Sequence, residues 1–109
     1  MPWNYTELLR AYFKNASICL DMGTGGGEFI DSFEKLPPQM YVTEGYAPNI
    51  EIAKNRLSKK GITVKVIADD NKLPFKENTF DLVVNKHESS SVLELSRIMK
   101  PNGQNRKKA

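Results

Sequence analysis

Cysteine is nearly absent: Cys19 is the only one in 109 residues. No intramolecular disulfide and no cysteine metal cluster is available, and a reducing compartment, the cytoplasm, is the expected location. Long apolar runs are missing as well. None exceeds about four residues, far short of the ~20 that cross a bilayer. The start, Met1-Pro2-Trp3-Asn4-Tyr5, has no charged segment followed by an apolar stretch. Neither export nor a membrane partner is expected. Charge of one sign is scarce too. Sixteen basic residues stand against 13 acidic ones, a formal +3 that Arg106, Lys107 and Lys108 carry by themselves. Basicity confined to one end offers no distributed basic face, so no nucleic-acid partner is expected. Repeats are lacking, and low complexity is limited to Ser89-Ser90-Ser91. What is present is a globular balance, 39% hydrophobic and 27% charged, in a length that fits a single domain.

The pattern along the chain alternates between helix and strand. Leu8, Leu9, Tyr12 and Phe13 recur at helical spacing behind the possible cap Thr6, which predicts a helix over about residues 6–14. Residues 17–22 read as a buried strand running directly into a glycine cluster. From Gly26 a second helix carries Phe29, Phe33 and Leu36 until Pro37 and Pro38 stop it. A second strand covers residues 40–44. Pro48 then opens a helix with Ile50, Ala53 and Leu57 on one face, and Gly61 is its expected cap. Residues 63–67 and 80–84 make a third and a fourth strand, continuous enough to be buried on both faces. Ser91-Val92-Leu93-Glu94 is a capping box that opens a last helix, with Val92, Leu95 and Met99 on its face and Pro101 and Gly103 closing it. Such alternation predicts a parallel doubly wound sheet. The stretch that follows, Gln104-Asn105-Arg106-Lys107-Lys108-Ala109, is polar throughout and predicts no buried fifth strand.

Three features carry chemistry. Gly23, Gly25 and Gly27 stand at alternate positions right after the first strand, where a ligand approaches backbone closely and φ above zero is needed. A dinucleotide fingerprint would need glycine at position 28, but Glu28 is there, and an acid in the first helical turn opposes a pyrophosphate. A cationic or zwitterionic ligand suits the loop better. Glu44 ends the second strand, where a carboxylate can accept from both hydroxyls of a ribose; the plainer reading is a solvated strand-end acid. Asp69 and Asp70 follow the third strand and precede Leu73-Pro74-Phe75, so acids and an apolar wall meet, as an adenine ring requires. The plainer reading there is a charged loop anchored in the core.

Taken together, Ile18-Cys19-Leu20-Asp21-Met22-Gly23-Thr24-Gly25-Gly26-Gly27, Glu44, Asp69 with Leu73-Pro74-Phe75, and Phe80-Asp81-Leu82-Val83-Val84 resemble the class I S-adenosylmethionine-dependent methyltransferases. Met99-Lys100-Pro101-Asn102-Gly103 resembles the family's Leu-Lys-Pro-Gly-Gly stretch. The resemblance covers about residues 15–103 and implies a role for each matching position. Asp21 would lie near the methionine amino group, and the backbone of Gly23 and Gly25 beside the methionine portion, with Gly27 completing the loop. Glu44 would hold the ribose. Asp69 would accept from the adenine amine, the Asp70 N–H would face a ring nitrogen, and Tyr46 and Leu73 would flank the base. Asn85 would lie near the sulfonium. Two residues depart from the pattern: Glu44 replaces the usual aspartate, and Asn102 the first of two glycines. The family's last three strands of seven are also missing from the expected set.

The resulting expectation is a Rossmann-like sheet of four parallel strands, order 3-2-1-4, over residues 1–103, with a basic polar tail at 104–109. It would bind S-adenosylmethionine, leave S-adenosylhomocysteine as product, and methylate a small-molecule substrate. His87, the sole histidine, is a candidate general base; an exposed loop residue is the plainer reading. Trp3 and Tyr5 either pack the first helix or close the cofactor site. The alternatives are a non-catalytic cofactor-binding module and, disfavoured by Glu28, a nucleotide-binding dehydrogenase domain. With no fifth strand, the fourth would be an edge inviting an antiparallel homodimer.

Overall fold

A computed structural model of the chain describes residues 4–68, 71–85 and 91–107. Helix α1 (Asn4–Asn15) leads into strand β1 (Ile18–Met22), followed by α2 (Glu28–Asp31), β2 (Gln39–Glu44), α3 (Ala47–Leu57), β3 (Thr63–Val66), β4 (Phe80–Asn85), α4 (Val92–Ile98) and β5 (Met99–Lys107). The strands form one parallel sheet in the order β3-β2-β1-β4-β5. Local chemistry sets the boundaries. α3 begins with Pro48 in its first turn, where a missing N–H costs nothing, and runs through a 3-10 turn at Ser58–Lys60 to Gly61, which has φ 74°. α4 begins where Ser91 Oγ accepts the Glu94 N–H at 3.3 Å. β1 is fastened at its start by Asp81 of β4, whose carboxylate accepts the N–H groups of Ser17 at 2.9 Å and Ile18 at 3.2 Å.

Alternation along the central strands divides the core in two. Cys19, Met40, Val42, Leu82 and Val84 face one side, where Leu9 and Phe13 of α1, Ile30 of α2 and Ala53 and Leu57 of α3 close over them. Leu20, Met22 and Val83 face the other, packed with Leu73, Phe80 and the α4 residues Leu95 and Ile98. Burial of both faces explains why these strands read as continuous apolar runs.

Five expectations need correction. A fifth strand exists, and residues 104–107 belong to it: Gln104 to Lys107 pair with Leu82 to Asn85. An edge strand has only to supply backbone groups to its one neighbour, so exposed Gln104, Asn105 and Arg106 side chains are compatible with it. The sheet has five strands, and β4 is interior, so the open edge on which a homodimer through β4 depended is absent. Third, β3 lies at the opposite edge with mostly exposed side chains, because only β2 flanks it. Fourth, α2 spans four residues, not the run to Pro37. Ser32 Oγ donates to the Phe29 carbonyl at 2.6 Å, and Lys60 Nζ donates to the Asp31 carbonyl at 2.7 Å, diverting acceptors that a longer helix would use. Phe33 still reaches the core, edge-on to Phe13 and Phe29. Finally, α4 buries Leu95 and Ile98, while Val92 is 79% exposed and Met99 has already entered β5.

Candidate functional site

The parallel sheet brings the C-terminal ends of β1, β2 and β4 side by side. Asp21 is fully buried near the end of β1, in register with Val42 and Val84, and Asn85 at the end of β4 pairs with Met22. Glu44 closes β2 and is buried. The chain then turns across this edge. From β1 the glycine loop leans on β2: Gly23 N–H donates to Thr43 Oγ1 at 3.3 Å, and Thr24 N–H to the Thr43 carbonyl at 3.0 Å.

The carboxylate of Glu44 organises the loop. Its Oε1 accepts the Gly25 N–H at 2.7 Å and its Oε2 the Tyr46 N–H at 3.0 Å. One side chain therefore ties the first glycine loop to the turn before α3. Each carboxylate oxygen has a second lone-pair site, so acceptor capacity remains beyond these two bonds.

The three alternating glycines serve different ends. Gly23 and Gly25 have φ of 69° and 65°, and a Cβ at either would meet no described residue within 4 Å, so the described residues leave open space in front of the loop backbone. Gly27, at φ 86°, caps α2, and a Cβ there would come within 3.0 Å of Leu57. Its need for glycine is the packing of α2 on α3. Thr24 Oγ1, between the two open glycines, is buried without a hydrogen-bond partner among the described residues.

The other wall comes from the segment before β4. Leu73 is buried in the cluster that also holds Met22 and Leu20, and Phe75 meets Phe80 edge-on at 4.9 Å and Tyr41 at 6.0 Å. Tyr46 stands 63% exposed at the N-cap of α3. Asp69, Asp70 and His87 lie outside the described residues, as do Trp3 and the Tyr5 side chain. The structure thus gathers Asp21, Gly23, Gly25, Glu44 and Asn85 at one edge, and it sets Gly27 back into the helix layer.

Sequence reasoning missed Glu94 as more than a cap residue, and Arg97 altogether. Glu94 Oε1 accepts the Leu73 N–H at 2.8 Å. Arg97 Nε donates to Glu94 Oε2 at 2.7 Å, while its Nη1 and Nη2 donate to the carbonyls of Phe75 at 2.8 Å and Leu73 at 3.0 Å. The bond from Arg97, with the Leu73 N–H next, holds the Glu94 carboxyl at about 2, below its ordinary 4.5. The i,i+3 spacing of an acid and an arginine was the available signal. The capping box is therefore half made, since Glu94 turns to Leu73 with its side chain.

A cavity of about 640 Å³ lies elsewhere, between the end of α1 and residues 32–38. Lined by Arg10, Phe13, Phe33 and Pro38, it adjoins the starts of β1 and β2, away from Glu44 and the glycine loop. Among the described residues no group of three or more His, Cys, Asp or Glu is placed to hold a metal ion, and no helix is long and apolar enough to cross a membrane.

Comparison with known proteins places this geometry. The sequence is 36% identical over 110 residues to a ubiquinone/menaquinone biosynthesis C-methyltransferase of Desulfotalea psychrophila, across 93% of this chain and 44% of that one. Among solved structures, the YcgJ protein of Bacillus subtilis superposes with a TM-score of 0.74 at 18% identity, over 94% of this chain and 49% of its own. A SAM-dependent methyltransferase of Aquifex aeolicus gives 0.68 at 25% identity, over 93% and 63%. The chain spans about half the length of the curated relatives it matches. A family model described as a methyltransferase domain matches residues 20–105. Since that match runs from the middle of β1 into β5, the chain belongs to the methyltransferase-domain family, class I enzymes whose cofactor is S-adenosylmethionine.

Proposed function

We propose that this chain binds S-adenosylmethionine at the C-terminal edge of its sheet and serves methyl transfer to a carbon of a small molecule. The observation that carries the reading is the pair Gly23 and Gly25. Both are left-handed, and among the described residues no atom lies within 4 Å of where a Cβ would sit. Such a cradle fits a ligand laid against backbone. The buried Thr24 hydroxyl and the spare lone pairs of Glu44 add polar groups at the same place.

When bound, the cofactor supplies an electrophilic methyl group, whose bond to sulfur breaks as a bond to the acceptor forms. The chain's own residues bind and orient. Gly23 and Gly25 let the loop backbone run alongside the methionine portion, with Asp21 behind it and Asn85 at the neighbouring strand end. Glu44 accepts from ribose hydroxyls while keeping its two amides. Leu73 and Tyr46 flank the base, and Asp69 and Asp70 are assigned to its polar edge. Displacement at a methyl group needs alignment more than acid or base, so much of the rate comes from holding donor and acceptor in line. A carbon acceptor has a proton to lose, and His87 is the candidate to take it.

The acceptor assignment rests on the name of the Desulfotalea relative, a C-methyltransferase of quinone biosynthesis. A cytoplasmic setting suits the single buried cysteine. A second reading is cofactor binding without transfer by these 109 residues. Titration calorimetry of the 109-residue chain with S-adenosylhomocysteine and with NAD tests the proposal. Binding of the first in preference to the second is expected, and tighter NAD binding overturns it. Methyl transfer from labelled S-adenosylmethionine to a quinone-type acceptor then separates the two readings.

A further inference from the structure

Residues 71–79 form no helix or strand before β4, so their main-chain groups need partners from elsewhere. α4 supplies them. Glu94 takes the Leu73 N–H, and Arg97 forks onto the carbonyls of Leu73 and Phe75, at 2.8, 3.0 and 2.8 Å respectively. Farther along, the Asn78 and Thr79 N–H groups donate to the carbonyls of Arg97 at 2.9 Å and Ile98 at 2.8 Å. The two charged side chains also bond each other through two nitrogens, Nε at 2.7 Å and Nη2 at 2.9 Å, which fixes the guanidinium plane. An exposed i,i+3 ion pair contributes little by itself. Here the pair is half-buried, and its main effect is on the peptide groups it satisfies.

The held segment has a particular address. Leu73 belongs to the same buried cluster as Met22, the residue directly before Gly23, so the clamp acts on the core layer that backs the end of β1. We infer that Glu94 and Arg97 are positioning residues for the base side of the cofactor site: by fixing the backbone at 73–75 they set the apolar wall that holds adenine in register, so that its exocyclic amine meets the acceptor assigned to it. This rests on the cofactor reading above. Neither side chain touches the cofactor in this assignment; both act through Leu73 and Phe75.

Calorimetry on the full chain with two ligands tests the inference. The ligands are S-adenosylhomocysteine and S-inosylhomocysteine, whose base carries oxygen in place of the exocyclic amine. The unaltered chain should prefer the adenine ligand. Arg97→Ala should weaken S-adenosylhomocysteine by roughly 10-fold, the scale of one charged hydrogen bond, and narrow the preference between the two bases. Arg97→Lys should not rescue it, since an ammonium lacks the fork, and it carries the test where Arg97→Ala fails to fold. Glu94→Gln, which keeps an acceptor for the Leu73 N–H, should recover part of what Glu94→Ala loses. Equal losses for both ligands, or no loss in a folded variant, overturn the positioning role while leaving the cofactor reading intact. Binding of neither ligand by the unaltered chain overturns both.

Discussion

Two glutamates hold the two sides of the sheet edge proposed for the cofactor, and they do so by different means. Glu44, at the end of β2, receives two main-chain amides, Gly25 at 2.7 Å and Tyr46 at 3.0 Å. Glu94, on α4, receives one amide, Leu73, and shares the rest of its capacity with Arg97. The first stands at the loop it organises. The second belongs to a helix 21 residues beyond the amide it holds. The glycine side is thus shaped by its own strands and turns, whereas the base side is shaped by an element from elsewhere in the chain. Binding on the first side should fail through loss of a direct contact, and on the second through loss of order.

Replacing the first carboxylate should break the comparison most visibly. Glu44→Ala removes the proposed ribose acceptor and leaves the Gly25 and Tyr46 amides without this partner, so S-adenosylhomocysteine affinity should fall by roughly 1 to 3 kcal/mol. Titration calorimetry measures it. Unchanged affinity would remove Glu44 from the ribose role.

The glycines sharpen the same contrast between contact and packing. Gly27→Ala drives a Cβ to within 3.0 Å of Leu57 at a φ of 86°, and overpacking of that kind costs roughly 1 to 3 kcal/mol of folding stability. Gly23→Ala meets no atom of the described residues within 4 Å. It should cost only the left-handed strain, about 1 to 2 kcal/mol, yet hinder the ligand because its methyl group fills the cradle. Thermal unfolding with and without S-adenosylhomocysteine separates the cases. A Gly27→Ala chain that keeps its melting temperature, or a Gly23→Ala chain that still gains full stabilisation from ligand, would contradict the division.

What was legible in the sequence follows the same line. The glycine loop, Glu44 and the strands β1, β2 and β4 announce themselves within short windows, because a buried parallel strand and a left-handed turn each demand particular residues locally. β5 did not. Its polar residues are excluded only from a strand buried on both faces, and sequence alone does not tell an edge from an interior position. Gly103 held a usable hint: a Cβ there would fall 2.9 Å from the Phe80 carbonyl, the close approach of a strand beside β4. Asn102, the departure from the family's glycine pair, is exposed and meets no such limit. α2 was overextended because apolar spacing at Phe29, Phe33 and Leu36 is satisfied equally by a short helix and a turn. The Glu94–Arg97 pair had its i,i+3 spacing as a signal, but the main-chain carbonyls and the amide it clamps leave no mark on residue identity.

The smallest effect is in pH, and it tests whether Glu94 is held as the geometry requires. Its carboxyl is lowered to about 2 by the Arg97 guanidinium first and the Leu73 amide second, from an ordinary value of 4.5. A lowered folded value means the unfolded chain takes up the proton first as pH falls. The clamp's contribution is therefore complete above about pH 4.5, declines as the pH drops below that, and is gone once it passes 2. At neutral pH nothing changes. Carbon-detected titration of Glu94 should give a midpoint near 2 in the folded chain, and Arg97→Ala should move it back toward 4.5. Exchange protection of the Leu73 amide should follow the same curve. A midpoint near 4.5 in the unaltered chain would show a solvated side chain, and residues 73–75 would then owe their order to the Arg97 bonds to their carbonyls and to the burial of Leu73.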